Sequence, residues 1–291
     1  MLKEYATILL EEIDSVLILK LNRPEKLNAF NMQMLDDMLD AVDYANTNDN
    51  IKSLIITGSG RAFCAGADLS FGEKTFDKSF DTNEKYDSEF MRDAGGILNL
   101  KIYNSLKPVI AACNGDAVGI GATMQLPADI RIASKNSRFG FVFAKRGIVP
   151  DGCASWFLPK IIGIPMALEL CYSGKIINST EANRIGLVNY LVEEDDLIVK
   201  AIKISNMLCD STAPISVAMT RHMLWSLSAE DNPENAHIIE SKLINSRGAS
   251  DDAKEGVMSF LEKRSANFKN KISSDLPNDF PWRESQFKDK E

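Results

Sequence analysis

Three short apolar runs, each closed by residues that favour a turn, constrain the fold of this chain more than any other feature. The runs at 15–21, 51–57 and 107–113 are typical of strands. Between the first two, residues 31–45 repeat their apolar side chains at close to helical period, and 122–128 follows the third as a further expected helix. Strands that alternate with helices predict an α/β arrangement.

From residue 165 onward the pattern is almost entirely helical, which predicts a C-terminal helical part. Short strands are expected before it, at 129–133 and 138–142. Residues 72–95 are polar and charged without a steady period, so we expect a loop or a partly helical cover there. The tail 271–291 is polar and contains prolines, which predicts a loose arm. The helices expected beyond the first strands are 96–104, 156–162, 165–171, 179–185, 197–210, 214–227, 233–246 and 251–263.

Composition excludes several classes of function. The 291 residues allow one large domain, or one domain with a smaller helical extension. The net charge of −8 argues against nucleic acid as the main partner, because phosphate binding needs a basic surface. Two histidines and five cysteines without a CxxC pair give no readable metal site, and free thiols indicate a reducing compartment. The N-terminus does not resemble a secretory signal, and no apolar run could span a bilayer, so we expect a cytoplasmic protein.

Two turns of small residues, at 63–69 and 114–121, each follow a buried strand. Such a turn can direct backbone N–H groups into a cleft, and two of them together can form an oxyanion hole. The alternative is that these glycines only form the tight turns of an α/β fold, and spacing alone favours that alternative. A dinucleotide site is excluded at Gly119-Ile-Gly121, because the third glycine of that motif would fall at Met124.

The sequences of four segments resemble those of the crotonase superfamily, the enoyl-CoA hydratase/isomerase family. They are Leu21-Asn-Arg-Pro-Glu-Lys-Leu-Asn-Ala29, Gly60-Arg-Ala-Phe-Cys-Ala-Gly-Ala-Asp-Leu69, Lys107-Pro-Val-Ile-Ala-Ala-Cys-Asn-Gly115 and Ala117-Val-Gly-Ile-Gly121. Further matches follow in the right order at 139–140, 147–151 and 260–264, so the resemblance covers roughly residues 5–270. These motifs are specific for the family and much less specific for the reaction.

The resemblance implies an α/β fold in which residues 1–200 form a crotonase-type spiral of ββα units with the acyl-CoA site. It implies that 201–270 form a helical region that assembles trimers or hexamers, followed by the polar tail 271–291. The substrate would be an acyl-CoA, with no metal and no cofactor besides the CoA of the substrate itself. The N–H groups of Ala67 and Ile120 would form the oxyanion hole for a thioester enolate.

The same resemblance implies which residues contact the acyl-CoA thioester. For Lys263, an ordinary surface lysine is an equally good interpretation. The contact residues are Lys26, Asn28, Ala65, Gly66, Asp68, Leu69, Gly121, Phe143, Phe260 and Lys263.

The chain departs from the family pattern where a hydratase carries two glutamates that hold and activate a water. Those positions are Thr123 and Phe143 here. An acid stands instead at Asp151. The resemblance implies that some isomerases of the family carry their working carboxylate at this position. A 1,3-proton shift needs one base, and apolar neighbours would raise the pKa of Asp151 toward the working range. The alternative interpretation of Asp151 is ordinary Pro-Asp-Gly turn chemistry.

These observations favour an isomerase-type acyl-CoA enzyme of fatty-acid or carboxylic-acid catabolism. Hydration with an atypical acid set, C–C bond hydrolysis of a diketone and an inactive acyl-CoA binder remain open. His222 is expected to be an ordinary histidine of a helix. Further acids, expected to be solvated, are Glu84, Asp87, Glu89, Asp93 and Asp116.

Overall fold

The computed structural model describes residues 2–77, 92–278 and 280, and it has the expected α/β architecture. The strands of these residues are β1 (Ile8–Ile13), β2 (Val16–Leu21), β3 (Ser53–Gly58), β4 (Ala62–Cys64), β5 (Val109–Cys113), β6 (Asp116–Val118), β7 (Ile130–Ser134), β8 (Arg138–Gly140), β9 (Ile176–Asn178) and β10 (Tyr190–Val192). They form a six-stranded sheet, β1-β2-β3-β5-β7-β10, and a four-stranded sheet, β4-β6-β8-β9. From β2 to β10 the larger sheet is parallel, and β1 is antiparallel to β2.

The chain crosses from one sheet to the other after each central strand. β3 is followed by β4, β5 by β6 and β7 by β8, and the second strand of each pair joins the smaller sheet. The α-helices are α1 (Met32–Thr47), α2 (Ala94–Tyr103), α3 (Ile120–Thr123), α4 (Ala154–Ile162), α5 (Ile164–Ser173), α6 (Ser179–Arg184), α7 (Leu197–Cys209), α8 (Pro214–Leu227), α9 (Pro233–Gly248), α10 (Asp251–Glu262) and α11 (Ile272–Asp275). Because helices follow these strand pairs, the core winds as a spiral of ββα units.

Strand β2 shows how the larger sheet is buried on both faces. Its odd-numbered residues Leu17, Leu19 and Leu21 belong to the main core, which also contains the inner face of α1. Its even-numbered residues Val16 and Ile18 belong to a second cluster, in which α7 covers the opposite face. Side chains alternate along a strand, so a run that is apolar at every position is expected for a parallel sheet covered on both faces.

The secondary structure corrects two local predictions. The helix expected at 122–128 begins at Ile120 and ends at Thr123; the chain continues in tighter turns, with the Leu126 N–H donating to the Thr123 carbonyl oxygen, and Pro127 has no N–H with which to continue a helix. The small-residue turn expected at 63–69 begins inside strand β4 (Ala62–Cys64). Strands β1, β6, β9 and β10 were not predicted, and the last three have only three residues each. A strand of three residues is too short to show periodicity.

Helix α7 spans the boundary predicted between the core and the helical region. Leu197, Ala201 and Ile204 of α7 pack in the cluster that covers the larger sheet. Residues 200 and 201, on either side of the predicted boundary, both lie inside this helix, and the division into 1–200 and 201–270 stays a prediction. Within the described residues, no helix is long and apolar enough to cross a membrane.

The first part of the predicted tail at 271–291 is packed rather than loose. Ile272 and Phe280 are buried in a cluster with residues of α8 and α9, and the Phe280 ring lies 5.0 Å from the His222 ring. The backbone N–H of Ser273 donates to the Asp49 carboxylate. The burial of Ile272 and Phe280 against apolar residues of α8 and α9 stabilises the position of this otherwise polar segment.

Arg221 of α8 fastens the helical region to the core. The guanidinium is buried, and its Nε donates to the Asp129 carboxylate over 2.9 Å. Its remaining N–H groups donate to backbone carbonyl oxygens of Ile102, Tyr103, Ser105 and Pro127. The planar fork of arginine can reach all of these acceptors at once, which a lysine cannot do.

We expect Arg221→Met to lower the free energy of unfolding by about 3 kcal/mol or more, because it removes the cationic partner of Asp129 and the donor to several buried carbonyl groups. Arg221→Lys should recover little of this loss. Urea unfolding measures the effect. The matched control is Arg184→Met, which removes an exposed pair with Glu181 and should change the stability by about 1 kcal/mol or less. A similar loss in both variants would contradict this role of Arg221.

Candidate active site

The two small-residue turns meet because the short strands before them are neighbours in one sheet. β4 and β6 pair in parallel, with Ala62 opposite Asp116 and Cys64 opposite Ala117. The residues after parallel strands leave the sheet at the same edge. A Cβ placed on Gly119 would lie 3.8 Å from the Gly66 Cα, so the turns are in contact.

Glycine is required at position 121, which the sequence associates with the acyl-CoA site. A Cβ at Gly121 would overlap the carbonyl oxygen of Cys64. The backbone of α3 therefore lies directly against β4, and its first residue stands beside the other turn. Gly121 brings the two turns together by leaving room for this approach.

The backbone N–H groups of Ala67 and Ile120 are free to bind a ligand. Phe30 pairs with the chain on either side of Ala67, through its N–H to Gly66 and its carbonyl oxygen to Asp68, both at 2.8 Å. The N–H of Ala67 itself then points away from Phe30, as alternation along an extended chain requires. Ile120 is the first residue of α3, where an N–H has no partner within the helix. Across the described ranges, neither N–H donates to another protein atom.

Asp151 stands next to Ile120. A Cβ on Gly95 of α2 would lie 2.6 Å from the Ile120 Cδ1 and 3.3 Å from the Asp151 Cγ, so both side chains reach one point. The Asp151 carboxylate is partly buried and accepts a hydrogen bond of 2.6 Å from the Thr123 hydroxyl. The fold therefore brings together Asp151, the acid predicted from the turn sequence, and Ile120, one of the two residues of the predicted oxyanion hole.

Burial raises the pKa of Asp151 to about 6, because a carboxylate is poorly solvated there. The Thr123 hydrogen bond favours the ionised form and limits this rise, whereas the negative charge of Asp93 adds to it. At neutral pH most Asp151 side chains are ionised, and the group can still release a proton readily once it has accepted one.

The chain was compared with known proteins. A family model described as enoyl-CoA hydratase/isomerase matches residues 11–271. The chain belongs to the enoyl-CoA hydratase/isomerase family. This confirms the resemblance to the crotonase superfamily and, with it, an acyl-CoA enzyme.

Relatives in this family have different reactions in their names. Enoyl-CoA hydratase AKT3-2 of Alternaria alternata is 37% identical over 258 residues, which cover 88% of this chain and 84% of the relative. The 1,2-epoxyphenylacetyl-CoA isomerase of Escherichia coli is 33% identical over 266 residues, which cover 88% of this chain and 95% of the relative. A crystal structure of an enoyl-CoA hydratase from Bacillus anthracis superimposes with a TM-score of 0.79 at 28% identity, over 91% of this chain and 99% of that one.

The two positions that carry glutamates in hydratases of the enoyl-CoA hydratase/isomerase family are differently used here. Thr123 is buried and its hydroxyl orients Asp151. Phe143 is buried in the main core, and its carbonyl oxygen accepts the N–H groups of Arg146 and Ile148. Neither side chain can activate a water as a carboxylate does.

Two residues predicted to contact CoA have a structural role in this family member. Asn28 is fully buried, and its Nδ2 donates to the carbonyl oxygens of Ser59 and Ala62. The Asp68 carboxylate accepts hydrogen bonds from Ser70 and Arg23, which lower its pKa to about 2. Both side chains are bonded within the protein and stabilise the turn, and their contact with CoA stays a prediction.

The other predicted CoA contacts surround the turns or lie on α10. Lys26 is exposed, Ala65 and Gly66 belong to the first turn, and Leu69 is 55% exposed beside it. Phe260 of α10 is 82% exposed. Lys263 ends α10 with φ 55°, a left-handed conformation that is uncommon outside glycine.

Of the acids expected to be solvated, Glu84, Asp87 and Glu89 lie outside the described residues. Asp116 forms an exposed ion pair with Arg138. His222 is buried in α8, where burial lowers its pKa to about 4.

Sequence reasoning missed the roles of Asp93 and Asn99. The Asp93 carboxylate caps α2 through the Gly96 N–H, at 2.8 Å, and an acid three residues before a helical glycine is a recognisable cap pattern. Asn99 is fully buried beside Thr123 and Gly152, and no signal in the sequence marks it.

We expect Asp151→Asn to make this member of the family more stable above pH 7. A carboxyl group whose pKa rises from 3.8 to about 6 on folding binds a proton more tightly in the folded state, so its ionisation destabilises the fold as pH rises through that window. The difference is about 3 kcal/mol at pH 8 and falls below about 1 kcal/mol near pH 4. Thermal unfolding of both proteins at pH 4, 6 and 8 measures it, and an equal difference at all three values would contradict the raised pKa.

Proposed function

We propose that the chain catalyses a 1,3-proton shift in an enoyl-CoA thioester, moving a double bond into conjugation with the thioester carbonyl. Asp151 removes the proton alpha to the carbonyl, the N–H groups of Ala67 and Ile120 stabilise the enolate oxygen, and Asp151 returns the proton at the gamma carbon. The observation that carries this proposal is the Asp151 carboxylate beside Ile120, held by a threonine hydroxyl where a hydratase has its first glutamate.

The strength of the acid supports the same reaction. A group that both takes and returns a proton works best when its pKa lies near the working pH. Burial raises the pKa of Asp151 to about 6, which leaves the carboxylate available at neutral pH and makes its protonated form a usable acid. Isomerisation needs no second acid to hold a water.

Hydration is the second candidate, because relatives such as the crotonyl-CoA hydratase of Syntrophomonas wolfei, 35% identical over 269 residues, are named for it. Hydration would require an acid set other than the two glutamates, with Asp151 as one member. An acyl-CoA binder without turnover is the third candidate, and C–C bond hydrolysis is a variant of the same enolate chemistry.

Assays with a 3-enoyl-CoA and a 2-enoyl-CoA separate these candidates. We expect wild-type protein to isomerise the first, and Asp151→Asn to lose about 10²- to 10⁴-fold in kcat, since the reacting proton has no acceptor. The matched control is Asp116→Asn, an acid beside the second turn that is already paired with Arg138, and it should remain active. Equal hydration by wild type and Asp151→Asn would overturn the proposal, and thioester binding without any turnover would favour the binder.

We also propose that the chain assembles as a trimer or a hexamer through its C-terminal helices. These helices expose apolar side chains that a monomer would leave in water, which supports a partner surface there. The residues concerned are Leu224, Ile238, Ile244, Val257, Phe260 and Leu261.

All five cysteines are free thiols, which suits the cytoplasmic location expected from the sequence.

The predicted contact of Lys263 with the CoA phosphates can be tested without disturbing the fold. Lys263→Gly removes the charge and suits the left-handed end of α10. We expect about a three- to tenfold rise in KM for acyl-CoA with kcat unchanged, as for one exposed charge pair. Lys254→Gln on the same helix is the control. Light scattering at three or six chain masses in all variants would show that assembly is intact, and an unchanged KM would leave Lys263 an ordinary surface lysine.

A further inference from the structure

Helix α2 holds the peptide groups on both sides of Gly152, the residue that follows Asp151. The Asn99 side-chain Nδ2 donates to the Gly152 carbonyl oxygen over 2.6 Å. The Gly152 N–H donates to the Asp93 Oδ1 in a long hydrogen bond of 3.5 Å. Asp93 and Asn99 stand at the start and in the middle of the same helix, so one rigid element contacts the turn from two sides.

Asn99 also connects this turn to the helix that carries the Ile120 N–H. The same Nδ2 donates to the Thr123 carbonyl oxygen over 2.8 Å. The fit is close, since a Cβ on Gly152 would stand 2.8 Å from the Asn99 Nδ2 and 3.0 Å from the Thr123 Oγ1. Asn99 is fully buried, and its amide joins the backbone of the Asp151 turn to that of α3, beside the side-chain hydrogen bond from Thr123 to Asp151.

Asp93 places a negative charge beside Asp151. The Asp93 Oδ1 and the Asp151 Cγ lie 3.0 Å and 3.3 Å from the point where a Gly95 Cβ would stand, so the absence of a side chain at Gly95 lets the two acids approach. Asp93 itself is solvent-exposed, and its Oδ1 also accepts the Gly96 N–H.

We propose that Asp93 and Asn99 are positioning residues, through which α2 sets the place and the charge environment of Asp151 relative to the Ile120 N–H. This inference rests on the proposed function in assigning Asp151 as the acid. Asn99 fixes the geometry, because errors of about 1 Å between an acid and an oxyanion hole can cost 10²-fold in rate. Asp93 makes Asp151 a stronger base by like-charge repulsion.

The groups that face Asp151 make Asp93 the charge to test. Thr123 faces it from α3 as a neutral donor, and Cys64 of β4 is neutral because burial raises its pKa to about 12. Cys153, two residues along the turn, is also held neutral by burial, and Arg92 acts on that thiol. In the described parts of the chain, Asp93 is the charged group that acts on the pKa of Asp151.

Asp93→Asn tests the charge alone, because the amide oxygen can still accept the Gly96 N–H. We expect the acid limb of kcat/KM to move to lower pH, and the plateau above pH 7 to fall about threefold, because Asp151 becomes a weaker base. Asp196→Asn, an exposed acid before α7, is the matched control and should leave the profile unchanged. An Asp93→Asn profile that superimposes on that of wild type would overturn the role of Asp93.

Asn99→Ala tests the geometry. We expect kcat to fall about 10²-fold with KM changed less than threefold. The Asp151 turn and α3 lose the amide that bonds to both of them, while the CoA contacts remain. Asn183→Ala is the matched control, since its Nδ2 likewise donates to a backbone carbonyl, that of Val188, at 2.9 Å. An increase in KM at unchanged kcat would overturn the role of Asn99. Asn99→Ser, which keeps a small donor, should recover part of kcat if the loss is not general unfolding.

A measurement without turnover separates this inference from the proposed function. The advantage of Asp151→Asn over its parent in unfolding temperature grows as pH rises above the unfolded-state pKa, and the pH at which it stops growing reports the pKa of Asp151 in the folded protein. Measured in the wild-type and Asp93→Asn backgrounds, this pH should be lower in the second. If it is lower while the wild type does not isomerise, the proposed function fails and the coupling stands. If the wild type isomerises and this pH is the same in both backgrounds, the coupling fails alone.

Discussion

The parallel contact between β4 and β6 is the constraint on which the site depends. Two three-residue strands pair at one edge, and Gly121 allows α3 to lie directly on the Cys64 carbonyl. Without that approach, the two turns that carry the N–H groups of Ala67 and Ile120 would not meet at one site. Such donors need no movement when charge develops on a ligand oxygen, because they are backbone groups fixed by the sheet and the helix.

The side chains around these two backbone N–H groups determine which chemistry is possible. Thr123 occupies a position that carries a carboxylate in hydratases, and its hydroxyl is bonded to Asp151, which enters from the turn before α4. In the proposed function, the acid is Asp151, beside Ile120, instead of a carboxylate at position 123. A fold that supplies the oxyanion hole from its backbone can carry its acid on different loops.

The Asp151 turn is locally unfavourable. Gly152 and Cys153 are both left-handed, with φ of 62° and 55°, and a carboxylate is held where burial raises its pKa. Cys153 has no glycine-like freedom, so its conformation is imposed by the packing around it. The hydrogen bonds from α2 and α3 to the residues of this turn stabilise a conformation that the turn would not favour by itself. Unfavourable local conformations and poorly solvated charges are characteristic of functional sites.

The sequence by itself determined the family, the α/β arrangement and most of the helices. Helix α8 has the predicted bounds, 214–227, because helical periodicity arises from neighbours three and four residues apart. The motifs at 60–69 and 117–121 likewise predicted the two turns, since their glycines meet local needs of the backbone. Asp151 was recognisable as an acid in a turn sequence.

Only the tertiary structure decided what surrounds that acid. Asn99 and Gly152 are 53 residues apart, and a buried amide between two carbonyl groups has no local pattern by which it could be found. Asn28 and Asp68 matched the family pattern, but their side chains are bonded within the protein. Strand β4 and the packed residues Ile272 and Phe280 were missed for the same reason. Local sequence specifies local conformation, whereas contacts between distant segments depend on how the two sheets and the helices are stacked.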